Sequence, residues 1–245
     1  MRIYLAGCSY QPWEKLNFYN FYRLDSYLAA RSLKSFVPSR FKDFILDSGI
    51  FSYLNGKDAT SVDWEQYVHN YAEFVKFHKI RNYVEIDIDR FYGLDVVESL
   101  RAKLEKQVGW PCMPVWHMNR GYDKWLEICR DYKYVCFGAF LTDHLKEKNF
   151  PKVARFIRDA RKQGCKVHGL GFTCQKWLDK LHFYSVDSSS WTAGVRYGGT
   201  FFKFTGRSVE ALQKPAGSKI LDMKKLAFHS FKEWVKFSRY ADRHL

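Results

Sequence analysis

Phe44-Ile-Leu-Asp47-Ser-Gly49 is the stretch that decides the fold. Three consecutive apolar residues stop at a carboxylate, a hydroxyl and a glycine. So short an apolar run fits a strand buried on both faces, and the polar residues after it read as a strand-end loop. The arrangement recurs along the chain. Ile3–Ala6 is the first candidate strand and Phe44–Leu46 the second. Tyr83–Ile86 ends in Asp87-Ile-Asp89, and Met113–Trp116 in His117. Tyr134–Phe137 ends in Gly138-Ala139-Phe140, Lys166–His168 in Gly169-Leu-Gly171, and Phe183–Val186 in Asp187. Thr200–Phe204 is the eighth.

Most of these runs are separated by segments with helical periodicity. From about Val62 to Phe77, the residues Trp64, Tyr67, Val68, Tyr71, Ala72 and Val75 share one face, and Thr60 with Asp63 reads as a capping box. A second helix runs from about Leu94 to Gln107 and stops near Gly109 and Pro111. A long helix from Met223 to Tyr240 closes the chain. Strand-helix alternation predicts a parallel sheet. Polar motifs placed just after the strands favour a single α/β domain over residues 1–245, a (β/α)₈ TIM-type barrel with a C-terminal helix, over a doubly wound sheet. In a barrel all such ends converge on one catalytic face.

Composition narrows the function classes. A hydrophobic content of 47% and a mean hydropathy of −0.40 fit a soluble, cytoplasmic chain. No apolar run approaches the roughly 20 residues that span a bilayer, and the apolar part of the N-terminus is too short for a secretory signal. The six cysteines contain no C-x-x-C pair and read as free thiols in a reducing compartment; no metal or other cofactor is expected. The net charge of +14 gives a field that attracts a polyanion, and an aromatic content of 18% offers stacking surfaces. Basic residues crowd the last quarter, Lys203 and Arg207 among them.

Each strand-end residue has a functional and a bland reading. A carboxylate placed like Asp47 is desolvated and rigid, which raises its pKa and suits acid/base work; Asp-Ser-Gly is equally ordinary turn chemistry. Asp87, Asp89 and Glu85 alternate with isoleucines and point to one side of an extended segment. Their mutual repulsion calls for something cationic or hydrogen-bond donating: a purine edge with adjacent N–H groups, or a divalent metal. His117 and His168 are strand-end histidines, structural or catalytic. The glycines at 138, 169 and 171 would let a flat ligand approach the backbone. Asp187-Ser-Ser-Ser-Trp191 reads as a polar, aromatic-walled pocket edge, with Asp187 a nucleophile, a base or a loop cap. Arg196, set among Gly194, Gly198 and Gly199, could meet a phosphate or form a surface ion pair.

Taken in order, these motifs resemble the tRNA-guanine transglycosylase superfamily, and most closely its compact DpdA-type phage and bacterial members, which place 7-deazaguanines in DNA. The resemblance runs from about residue 44 to 200 and rests on Asp47-Ser-Gly49, Asp87/Asp89, Gly138-Ala139, Gly169-Leu-Gly171 and the Asp187–Gly198 segment. It implies a nucleophilic Asp187 and a general acid/base Asp47. It implies that Asp87 or Asp89, with Asp87 preferred, reads the purine edge. His117, Gly138, Ala139, His168 and Gly169 would line the base pocket, with His168 where a larger apolar residue often covers the base. Ser188, Trp191, Arg196, Lys203 and Arg207 are the expected nucleic-acid contacts. The implied partners are DNA or tRNA and a free 7-deazaguanine, with no membrane; transglycosylases often dimerise, and a helper protein is also open. The tRNA enzymes carry a zinc site after the barrel that has no counterpart here, and the chain ends soon after the eighth expected strand, which shifts the expectation toward DNA. The competing readings are a metal-dependent barrel hydrolase, using the ring of Asp and His residues, and a non-catalytic nucleic-acid-binding barrel.

Overall fold

The computed structural model describes residues 1–7, 11–33, 35–54, 60–138, 146–172, 174–198, 200–214, 217 and 222–245. Eight parallel strands form one curled, TIM-like sheet: β1 (Arg2–Ala6), β2 (Tyr22–Ser26), β3 (Asp43–Asp47), β4 (Asn82–Tyr83), β5 (Val115–Trp116), β6 (Tyr134–Phe137), β7 (Lys166–Gly169) and β8 (Ser185–Ser188). Their order is β4-β3-β2-β1-β8-β7-β6-β5. Between the edge strands β4 and β5 the described contact is a single parallel bridge, Val84 to Met113. Around it Met113 N–H donates to Tyr83 O (2.7 Å) and Glu85 N–H to Met113 O (3.1 Å). The ladder stops there because the next donor that faces β4, Val115 N–H, turns to the side chain of Glu85 (2.7 Å) instead of its backbone carbonyl. The sheet is therefore curled but not closed by a continuous ladder.

Two strand expectations need correcting. The eighth barrel strand is Tyr22–Ser26, not Thr200–Phe204. Its sequence, Tyr-Arg-Leu-Asp-Ser, carries charged residues at alternate positions, Arg23 and Asp25, which are buried as an ion pair. Arg23 also lies over the rings of Trp13 and Phe41, at 4.8 and 4.5 Å. Thr200–Phe204 is β9, which pairs antiparallel with β10 (Val209–Gln213) in a separate hairpin. The hairpin packs on the C-terminal helix Met223–His244 through Phe202 against Trp234 and through Phe204 N–H to the Glu233 carboxylate (2.7 Å).

The helix Trp64–Phe77 buries all six residues of the expected stripe. Asp63 itself is the N-cap, accepting from Gln66 N–H. Inside the curl, Tyr4, Tyr22, Leu24, Ile45, Val84, Met113, Val115 and Cys136 form a core of their own. The alternate residues of the strands join the larger layer beneath the helices. The C-terminal helix seals β1, with Ser238 Oγ donating to Ile3 O and the N-terminal ammonium to Ala241 O, both at 2.9 Å. Among the described residues, no helix is long and apolar enough to cross a membrane.

Candidate active site

Inward positions at the C-terminal ends of the strands open into a cavity of about 620 Å³. Asp47, Asp87, His117, Gly138, Gly171, Asp187, Ser189 and Arg196 line it, together with Phe51 and apolar residues such as Leu24 and Leu170. Thus β3 and β8, and the segments after β4, β5, β6 and β7, all deliver residues to one space. That convergence is what parallel strands of a curled sheet produce.

Asp47 ends β3 and accepts Gly49 N–H at 2.7 Å. Gly49 has φ +87°, and a Cβ there would sit 2.9 Å from Leu28 Cγ, so glycine is required for the turn. The loop is anchored from behind by Tyr67 O–H, which donates to Ser48 O (2.5 Å), and by Tyr71 O–H, which donates to Leu46 O (3.1 Å) and Val84 O (3.0 Å). Burial raises the Asp47 carboxyl to about 6; the Gly49 N–H opposes this, and the charges of Asp187 and Asp87 add to it. That value leaves both protonation states populated near neutrality, which is what a group that gives and takes a proton requires.

Asp187, on β8, is 8% exposed. Its Oδ1 accepts Gly171 N–H at 2.7 Å and faces His168 Nε2 at 3.2 Å. Among the described residues Oδ2 receives no hydrogen bond. The side chain therefore has one oxygen held and one oxygen available to the cavity.

The purine-edge candidates form a tighter assembly than their spacing implied. Glu85, fully buried, faces Arg101 and Arg120 at 3.1 and 3.2 Å. Asp87 Oδ1 takes Arg120 Nη2 at 2.6 Å, Asp87 Oδ2 takes His117 Nε2 at 2.5 Å, and Asp89 takes Arg120 Nε at 3.0 Å. Arg120 also donates to Val115 O. The cation demanded by three carboxylates in the segment after β4 is thus supplied by the protein, from the turn Met118–Arg120. Sequence reasoning missed Arg120. The signal was there, since the repulsion argument required a counter-charge, but spacing along the chain does not say which arginine provides it. Burial keeps Glu85 above the usual carboxylate range in spite of the two guanidinium groups. Burial would lower His117; the hydrogen bond and charge of Asp87 outweigh it, and its pKa is raised.

Gly138 lines the pocket against His117 and Val115. A Cβ there would lie 2.7 Å from His117 Cε1 and 2.8 Å from Val115 Cγ1, so His117 fits only because residue 138 lacks a side chain. Ala139 and Gly199 lie outside the described residues.

Several expected contacts have other places. His168 is fully buried beneath Asp187 rather than over a base, and Gly169 packs on Phe183. Trp191, expected as a nucleic-acid contact, is a core residue with no exposed surface. It donates to Ala6 O (2.6 Å) and packs on Trp13 and Phe231. Ser188 is likewise buried and caps its own turn by accepting Ser190 N–H (3.2 Å). Ser188 is the last residue of β8 and, next to the inward Asp187, points to the opposite face of the sheet; Trp191 follows on a turn that packs on the C-terminal helix through Phe231. Arg196 is exposed, lines the cavity and forms no ion pair among the described residues. Lys203 and Arg207 are exposed on the β9–β10 hairpin and do not line the cavity.

No protein-family model matches the chain, and no characterised protein matches it in sequence. A functional reading therefore stands on the residues and their arrangement.

Proposed function

We propose that the protein is a base-exchange transglycosylase that replaces guanine in DNA with a 7-deazaguanine through a covalent Asp187–glycosyl intermediate. The observation that carries this reading is the pairing of two differently prepared carboxylates on one cavity. Asp187 has one oxygen pinned and one available to the cavity. Asp47 has its pKa raised to about 6. A carboxylate held by one oxygen with the other facing the cavity suits nucleophilic attack, and one poised near neutrality suits proton transfer.

In the first half-reaction Asp187 Oδ2 attacks C1′ of the target nucleotide as the C1′–N9 bond breaks, through an oxocarbenium-like transition state. The electron pair leaves with guanine, and protonated Asp47, directly or through a water, supplies the proton that makes guanine a neutral leaving group. In the second half the 7-deazaguanine occupies the vacated space and gives its N9 proton to ionised Asp47. Its N9 then attacks C1′ and the ester bond to Asp187 breaks. Two inversions give net retention, and protons and electrons balance without an energy-rich co-substrate. The Asp87–His117 pair and the wall at Gly138 are positioned to meet the polar edge of a planar base. Arg196, at the mouth, suits a flanking phosphate. The target nucleotide must be extruded from a duplex or already single-stranded to reach the cavity.

A metal-dependent hydrolase is the alternative with an observation behind it, because ligand atoms of Asp87, Asp89 and His117 lie within 4.8 Å of one another. The same carboxylates hold the Arg120 guanidinium at 2.6 and 3.0 Å. A divalent ion there would face that charge at close range, so the donor set disfavours a metal-centred reading. The test is incubation with guanine-containing DNA, or tRNA, and labelled 7-cyano-7-deazaguanine or its aminomethyl analogue. Label should enter DNA with wild type and not with Asp187→Ala. Label in tRNA alone would move the substrate assignment, and label in neither, with folded protein, would defeat base exchange.

A further inference from the structure

Behind Asp187 lies a chain of buried polar groups that the reaction above leaves unused. Tyr134 Oη lies 2.5 Å from Ser185 Oγ, Ser185 Oγ lies 2.6 Å from His168 Nδ1, and His168 Nε2 lies 3.2 Å from Asp187 Oδ1. The four residues come from adjacent strands β6, β7 and β8, with His168 registered against Ser185. His168 and Ser185 are both fully buried. Tyr4 and Tyr134 meet the imidazole edge-on, at ring-centroid distances of 5.7 and 6.4 Å.

The proton positions in this chain follow from the ends. A carboxylate acts only as an acceptor when ionised, so the atom facing Asp187 Oδ1 must carry the hydrogen. That atom is His168 Nε2. In a neutral imidazole Nδ1 is then an acceptor, and its neighbour Ser185 must donate to it. The Ser185 oxygen in turn accepts from Tyr134, whose phenol burial keeps protonated. Every hydrogen bond then runs in one direction, from Tyr134 through Ser185 and His168 to Asp187. With one proton on the ring, reversing any single link would set two donors or two acceptors face to face.

We propose that His168 is a positioning residue for Asp187, fixed as the neutral Nε2–H tautomer by Ser185 and Tyr134. Together with Gly171 N–H it pins Oδ1 and so presents Oδ2 to the cavity. The catalytic part of this claim rests on Asp187 being the nucleophile; the tautomer does not.

Two measurements separate those layers. The first is nitrogen NMR of protein labelled in histidine, with His168 assigned by its absence from the His168→Gln spectrum. The expected spectrum at neutral pH is a neutral imidazole protonated at Nε2, in a population that Ser185→Ala disturbs. A doubly protonated ring, or protonation at Nδ1, would overturn the proposal whatever the protein catalyses. The second is the rate of covalent adduct formation with guanine-containing DNA. His168→Leu should lower the maximal rate roughly 10- to 100-fold, the size expected for losing one hydrogen bond to a charged group, with little change in KM. His168→Gln, whose amide N–H can reach the same oxygen, should recover much of it. Equal rates for wild type and folded His168→Leu, or equal losses for Leu and Gln, would contradict a positioning role. A wild type that forms no adduct at all would instead count against the transglycosylase reading and leave the tautomer assignment to the spectrum.

Discussion

Asp47→Asn should make the protein more stable at neutral pH while abolishing its chemistry. Burial holds the Asp47 carboxyl at about 6 against an ordinary value of 3.8. Between those two values the unfolded chain releases a proton that the folded chain keeps, so stability falls as pH rises through this window. At roughly 1.4 kcal/mol per pH unit, ionised Asp47 costs the folded state about 3 kcal/mol once the pH is well above 6. Asparagine keeps the acceptor for Gly49 N–H and has no charge to bury. The variant should therefore gain about 2–3 kcal/mol over wild type at pH 7.5, and the gain should vanish at pH 4 and below, where both chains carry a neutral side chain. Urea unfolding at the two pH values measures it. A gain that is the same at both pH values, or a loss at pH 7.5, would refute the claim that Asp47 is held in a charge-hostile place.

Other expectations follow from the same geometry. If protonated Asp47 is the acid that assists guanine departure, single-turnover adduct formation should decline as pH rises through about 6; a flat profile in rapid-quench measurements from pH 5 to 8 would remove that role. Arg120→Met leaves Glu85, Asp87 and Asp89 facing one another and should destabilise the protein by roughly 3–5 kcal/mol, with part of the loss recovered in the double variant with Glu85→Gln. Gly138→Ala should cost about 1–3 kcal/mol and raise KM for the incoming base, because the new methyl displaces His117 from Asp87. Tyr197 is 82% exposed beside the cavity-lining Arg196. Tyr197→Ala should weaken binding of single-stranded DNA by about 1–3 kcal/mol, whereas Arg196→Ala should also flatten the salt dependence, both readable by fluorescence anisotropy at several salt concentrations.

Seven of the eight barrel strands were legible in the sequence, and with them the strand-end positions of Asp47, Asp87, His117, Gly138 and Asp187. Strand β2 was not legible, because a buried ion pair with aromatic cover replaces apolar side chains, and no periodicity reports such a pair. Thr200–Phe204 has the composition of a strand and is one, but propensity does not say which sheet a strand joins. At the site, chain spacing showed that Glu85, Asp87 and Asp89 share a side and need a counter-charge. It did not show that Arg120 swings back from the turn after β5 to provide it. Trp191 was misjudged for a related reason: an aromatic beside three serines looks like a pocket edge, and only packing against Trp13 and Phe231 reveals it as core. His168 was found at the right strand end, one layer too high.

The most direct test of the central claim is to trap the ester on Asp187. The protein is incubated with single-stranded, guanine-containing DNA without an incoming base, quenched in denaturant, and the adduct located by peptide mass spectrometry. The account predicts a denaturation-resistant protein–DNA species that carries the nucleotide on the Asp187 carboxylate, disappears in Asp187→Asn and is consumed when a 7-deazaguanine is added. Base exchange by wild type with the adduct on another residue, or exchange that survives Asp187→Asn, would contradict it.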